Sequence, residues 1–210
     1  MKLQLALDVC TIEEGLNLVE SVREYIDIIE IGTPLIIEYG LQPVKLFKER
    51  FPDKLILADA KIMDAGEHEA NLCFSKGADI VTVLGVAHDS TIRGVIKAAQ
   101  KHGKQVLVDM IDAHDIQQRA QVIDQLGADY LCVHTAFDIQ FSGANPLEEL
   151  RLIHEVVSEG KSAVAGGVKV ATVADIVKEH PAIIVVGGGI TGQADPVSAA
   201  RRIKEIMEGK

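Results

Sequence analysis

Tryptophan is absent, and aromatic residues make up only 4% of the 210-residue chain, so the interior must be built from Val, Ile, Leu and Ala. Cysteine is scarce: Cys10, Cys73 and Cys132 stand far apart. Their spacing supports neither a disulfide framework nor a zinc motif, and an odd set of scattered thiols points to a reducing, cytoplasmic setting. No apolar run is long enough to cross a bilayer. The opening MKLQLALDVC, with one lysine and an early Asp8, makes a poor signal peptide. Basic residues are outnumbered 31 to 21, for a formal net charge of −10. That field disfavours a nucleic-acid partner. It still permits a phosphorylated small molecule, because a few backbone N–H groups bind phosphate locally. No Ser/Pro/Gly-rich linker and no break in composition divides the chain, so residues 1–210 read as a single domain.

What is present is a repeat of short apolar segments, beginning near Leu3, Asp27, Leu55, Asp79, Gln105, Asp129, Ser162 and Ala182. Segments of helical periodicity separate them, such as Val197, Ala200, Ile203, Ile206 and Met207 near the end. Thr11 with Glu14 predicts a capping box at the first helix. Asp89 and Asn145-Pro146 predict further helix starts. The phrases Lys76-Gly77-Ala78-Asp79 and Leu126-Gly127-Ala128-Asp129 read as helix C-caps leading into strands. Eight such units predict an α/β fold, a closed (β/α)8 TIM barrel. The competing open, doubly wound sheet usually carries a Gly-rich turn after its first strand. Here that turn is Asp8-Val9-Cys10-Thr11.

In a barrel the working face lies at the C-terminal strand ends. Asp8, Glu30, Asp59 with Lys61, Asp109 and His134 stand at five such ends, and Asp64 follows on the loop after Lys61. Strand one alternates so that Leu3, Leu5 and Leu7 face the helices while Gln4, Ala6 and Asp8 face the axis. Asp59 and Lys61, two apart on an extended strand, are expected to project together. Glu30 and Asp59, on neighbouring strands about 5 Å apart, repel unless a proton, Lys61 or a divalent cation intervenes. Spacing leaves those possibilities open, and an all-oxygen ligand pair favours Mg2+, with Mn2+ as a substitute. His134 suits general acid/base work near neutral pH. The other histidines fall on helices or loops and read as mostly solvated. Two glycine clusters close the last strands, Gly166-Gly167 and Gly187-Gly188-Gly189. Such loops after strands seven and eight are the usual phosphate cradle of this fold.

Asp59, Lys61 and Asp64 match the Asp-x-Lys-x-x-Asp signature of the orotidine-monophosphate-decarboxylase superfamily, which the chain resembles. Within it, LQLALD, EIGTPLI, DAKIMDAGEHEA, VDMIDAHD and VHTAFDIQ are similar to the 3-hexulose-6-phosphate synthase family from end to end. The resemblance implies a Mg2+-dependent carbon–carbon lyase that joins formaldehyde to D-ribulose 5-phosphate in one-carbon metabolism. It implies Glu30 and Asp59 as metal ligands, His134 as base and Lys61 as catalytic cation. Asp8 and Asp109 are implied at substrate hydroxyls or beside Lys61, with phosphate on Gly166, Gly167, Gly187, Gly188 and Gly189. It also implies a homodimer in which Asp64 completes the partner's site. The similar 3-keto-L-gulonate-6-phosphate decarboxylase family is expected to carry an Arg soon after the histidine, another in the phosphate loop, and Glu at position 109. This chain has Thr135-Ala136-Phe137, Gly187-Gly188-Gly189 and Asp109 instead. A non-catalytic sugar-phosphate-binding barrel is the third reading.

Overall fold

The computed structural model describes residues 1–8, 11–142, 146–158 and 161–210. Cys10 and Asn145 lie outside the described residues. The elements alternate as expected for repeated βα units. They run β1 (Lys2–Leu7), α1 (Ile12–Val22), β2 (Ile28–Ile31), α2 (Thr33–Tyr39) and α3 (Gln42–Arg50). Next come β3 (Leu55–Ile62), α4 (Gly66–Ser75), β4 (Ile80–Leu84), α5 (Asp89–His102), β5 (Gln105–Asp109) and α6 (Ile116–Leu126). The last third holds β6 (Tyr130–His134), a 3-10 turn (Phe137–Ser142), α7 (Pro146–His154), β7 (Ser162–Ala165), α8 (Val173–Val177), β8 (Ile183–Val186), α9 (Gly188–Thr191) and α10 (Pro196–Met207). The eight strands pair in parallel and in order, and β1 closes on β8. Among the described residues no helix is long and apolar enough to cross a membrane.

Two apolar layers follow from strand alternation. Leu3, Leu5 and Leu7 pack outward among helical residues such as Val19, Val22 and Ile203. Ala6 faces inward with Ile28, Leu57, Ile80, Leu107 and Cys132. Local signals set several element ends. The Thr11 side chain accepts the Glu14 N–H, and the Glu14 carboxylate accepts the Thr11 N–H. Gly127 ends α6 in the left-handed region. Asp89, expected as an N-cap, is instead the first helical residue, and its carboxylate takes Arg119 Nη1 at 2.6 Å. Val197, expected on the buried face of α10, is exposed, whereas Ala199 nearby is covered.

β3 departs from the sequence reading. It runs past its apolar segment, which ends at Ala58, to Ile62. Its register with β4 slips: Ala58 pairs with Val81, and Ile62 pairs with Val83. Asp59, Ala60 and Lys61 therefore stand opposite Thr82 alone. Such a bulge bends the strand and re-aims its side chains. Lys61 takes φ +44°, in the left-handed region.

The base of the barrel carries a device of its own. Asp27, Asp79 and Asp129 immediately precede β2, β4 and β6. Their carboxylates accept the N–H groups of Leu3, Ile56 and Val106 on the preceding strands, at 2.8, 2.9 and 2.8 Å. Asp79 also binds Lys48 Nζ at 2.8 Å and Lys104 Nζ at 2.6 Å. Burial works against its charge, but the hydrogen bonds from Lys104, Lys48 and Ile56 hold it below the usual carboxylate range. Its stabilisation is thus full above the unfolded value near ~4 and is lost as pH falls through the folded value. Asp79→Asn should lower stability by about 2 kcal/mol at pH 7. Urea unfolding should show a lower midpoint with an unchanged slope, and an unshifted midpoint would remove this tie from the account.

Candidate active site

The C-terminal mouth gathers the polar side chains that the sequence placed at strand ends. Lys61 Nζ lies 3.1 and 2.8 Å from the two Asp59 oxygens and 3.1 Å from Asp109 Oδ2. His134 Nδ1 lies 2.9 Å from the same Asp109 oxygen, and Asp109 Oδ1 accepts the Ile111 N–H at 3.0 Å. A continuous chain of charge therefore runs His134–Asp109–Lys61–Asp59 across β6, β5 and β3. Asp59 and Lys61 do project together, as expected, but through the bulge rather than through plain strand alternation.

Each charge state follows from this geometry. Burial alone would depress the Lys61 ammonium; the Asp59 and Asp109 carboxylates outweigh it and hold it above the ordinary lysine value. Lys61 is therefore a cation and no base. Burial opposes the charge on Asp109, but the His134 hydrogen bond and the positive charges around it keep Asp109 below the usual range. An ionised carboxylate only accepts, so Nδ1 of His134 donates. That fixes the tautomer and leaves Nε2 as the basic nitrogen.

Glu30 is buried on β2. Its Oε2 accepts Gln4 Nε2 at 2.7 Å, and no other hydrogen bond reaches it among the described residues. Burial, then the charges of Asp59 and Asp8, push Glu30 well above the ordinary range. Burial and Asp59 likewise raise Asp8, with Lys61 and His134 partly offsetting them. Crowded, incompletely compensated carboxylates with oxygen donors only are suited to a hard divalent cation. Among the described residues no three His, Cys, Asp or Glu side chains form a metal cage. An ion held by Glu30 and Asp59 would complete its shell with water or substrate oxygens, as Mg2+ commonly does.

The glycine clusters border the same mouth. A Cβ on Gly187 would stand 3.2 Å from Asp8 Oδ2, and one on Gly166 would overlap the Thr135 carbonyl oxygen beside His134. Gly166 and Gly167 take φ +96° and +68°. A Cβ on Gly189 would meet the Val168 carbonyl, so the two glycine loops touch, while Gly188 has open space around it. Asp64 does not join the cluster: it is exposed, and its Oδ1 accepts the Ala65 N–H at 2.7 Å. His154, read as solvated, instead bonds the buried Ser162 hydroxyl at 2.7 Å.

Three supporting residues escaped the sequence reading, and a fourth, Gln4, was placed inward without its partner. Thr33 Oγ1 lies 2.8 Å from both the carbonyl and Oδ2 of Asp59. Thr82 Oγ1 lies 2.9 Å from Asp59 Oδ1. Gln4 carries the Glu30 bond, and Gly32 leaves room for the Asp8 carboxylate. Thr82 was detectable in principle, as a hydroxyl on the inward side of an otherwise apolar β4. Thr33 follows the end of β2 and had no such signal.

Comparison with known proteins identifies the family of the barrel. A family model described as "Orotidine 5'-phosphate decarboxylase / HUMPS family" matches residues 1–203. A 3-hexulose-6-phosphate synthase of Bacillus subtilis (strain 168) is 48% identical over 207 residues, covering 99% of each chain. The crystal structure of 3-hexulose-6-phosphate synthase from Salmonella typhimurium superposes with a TM-score of 0.97 at 44% identity, covering 100% of this chain and 99% of that one. A crystal structure of KGPDC from Streptococcus mutans has a TM-score of 0.91 at 26% identity over 99% and 97% of the two chains. The barrel, its mouth and its matched length make this chain a member of the orotidine 5'-phosphate decarboxylase / HUMPS family.

Proposed function

We propose that the chain is a 3-hexulose-6-phosphate synthase, condensing formaldehyde with D-ribulose 5-phosphate to D-arabino-hex-3-ulose 6-phosphate. The observation that carries this reading is the His134–Asp109–Lys61–Asp59 chain. It sets a base of fixed tautomer beside a permanent cation. Full-length likeness to relatives of that name supports the choice of reaction.

His134 Nε2 takes a proton from C1 of the ketose, next to the carbonyl. Negative charge then develops on the substrate oxygens, and the Lys61 ammonium stands in place to offset it. Asp109 stabilises the imidazolium that forms. C1 attacks formaldehyde, and His134 returns its proton to the new alkoxide, so the two reactants are fully accounted for in one product. Mg2+ held by Glu30 and Asp59 would add Lewis-acid stabilisation of the same developing charge. Asp8 is suited to hold a substrate hydroxyl, and the amides of Gly166, Gly167, Gly187, Gly188 and Gly189 are suited to the phosphate. Asp64, exposed on its own subunit, is suited to act in the site of a second copy, which makes a homodimer the working unit.

Purified protein should consume formaldehyde only with ribulose 5-phosphate. EDTA should stop the reaction and Mg2+ should restore it. Carbon dioxide release from 3-keto-L-gulonate 6-phosphate without formaldehyde loss would replace this reading with the decarboxylase, and neither activity would leave a binding barrel.

His134→Ala should slow exchange of the C1 proton with D2O by about 100-fold or more, followed by NMR. Exchange at the wild-type rate would exclude His134 as the base.

Mixing inactive Asp64→Ala and Lys61→Ala subunits in equal amounts should recover about a quarter of the wild-type activity through heterodimers. Verified heterodimers without activity would refute the shared site.

A further inference from the structure

We propose that Thr82 is a positioning residue: one buried hydroxyl secures the Lys61 peptide and Asp59 Oδ1 together and thereby aims the Lys61 ammonium. The slipped register leaves Thr82 as the residue facing Asp59, Ala60 and Lys61. A strand that bulges in this way loses regular ladder bonds. The Lys61 N–H finds its partner in a side chain instead, Thr82 Oγ1 at 2.9 Å. The same oxygen lies 2.9 Å from Asp59 Oδ1. Having accepted the N–H, the hydroxyl is free to donate its only proton to the carboxylate, so the direction of both bonds is settled. Thr33 differs, since its hydroxyl has two acceptors at 2.8 Å, the carbonyl and Oδ2 of Asp59, and can serve either.

Thr82 is only 2% exposed, so water has little access to replace it. Its loss would leave the Lys61 N–H without this partner and Asp59 Oδ1 with the Lys61 ammonium alone, a cost that a buried site does not recover. The left-handed backbone at Lys61, φ +44°, is unfavourable for a lysine and persists only where the surroundings impose it. Thr82 supplies that constraint on the β4 side. The carboxylates of Asp59 and Asp109 then receive Nζ from a backbone already held in place.

The activity arm of the test rests on the synthase reading; the structural arm does not. Thr82→Val keeps the shape and removes both bonds, while Thr82→Ser keeps the hydroxyl. In the full chain, kcat for formaldehyde condensation should fall about 30-fold in Thr82→Val, with KM for ribulose 5-phosphate within about twofold. Thr82→Ser should recover most of kcat. A crystal structure of Thr82→Val should show Lys61 out of the positive-φ region and Nζ no longer within reach of both Asp59 and Asp109. Unchanged kcat, an equal rise in KM, or an unmoved Lys61 would overturn the proposal. Should Thr82→Val fail to fold, Thr82→Ala is read by the same two measurements. If wild-type protein shows no formaldehyde-dependent turnover, the synthase reading fails, and the position of Lys61 in the variant structure still decides the role of Thr82.

Discussion

The mouth of this barrel depends on one ammonium group set between two buried carboxylates. Asp59 and Asp109 are both almost fully covered, and burying either charge alone would be severely unfavourable. Lys61 bonds both. The His134 hydrogen bond and the Lys61 charge together keep Asp109 ionised, and an ionised Asp109 in turn fixes the imidazole of His134. The proton inventory of the mouth therefore starts at Lys61. Remove that cation and Asp8, Glu30, Asp59 and Asp109 become a cluster that can persist only by taking up protons or a metal ion.

The same constraint explains why β3 is irregular. In a regular register Lys61 would stand opposite Leu84. Two extra residues in the bulge hold it at the level of Thr82 instead, from where it reaches across to Asp109 on β5. The irregularity is local, because the flanking pairs Ala58 with Val81 and Ile62 with Val83 are kept. Wall and mouth are thus built on different rules. Strand alternation sorts aliphatic residues between two layers below, whereas a lysine in an unfavourable backbone region organises the charges above.

Much of this was readable from residue order. Strand starts lay within a residue or so of those inferred from the apolar segments, because β-branched runs between Gly-Ala-Asp and capping signals leave little freedom. The inward parity of Gln4, Ala6 and Asp8 followed from period-two alternation alone. The convergence of Glu30, Asp59, Lys61, Asp109 and His134 followed from placing each at a strand end of a closed barrel. The bulge was not readable, since Asp59-Ala60-Lys61 alternates as a straight strand would. Nor was Thr33, and Thr82 showed only as a hydroxyl on the inward side of β4; the importance of both lies in hydrogen bonds across strands far apart in sequence. Asp89 was misread by one position because its carboxylate serves Arg119 rather than the helix start.

The aspartate ties at the base are not repeated all the way round. Asp27, Asp79 and Asp129 each clasp the strand before them, but the corresponding place before β8 is Ala182, which donates its N–H to Ser162 and offers no carboxylate in return. Three pairs of staves are riveted at the foot, and the two of the fourth pair are merely laid against each other. β7 and β8 carry the glycine loops at their upper ends, so the glycine side of the barrel is the side closed at its foot by main-chain bonds without a carboxylate clasp. The clasped pairs bear Glu30, Asp59, Lys61, Asp109 and His134.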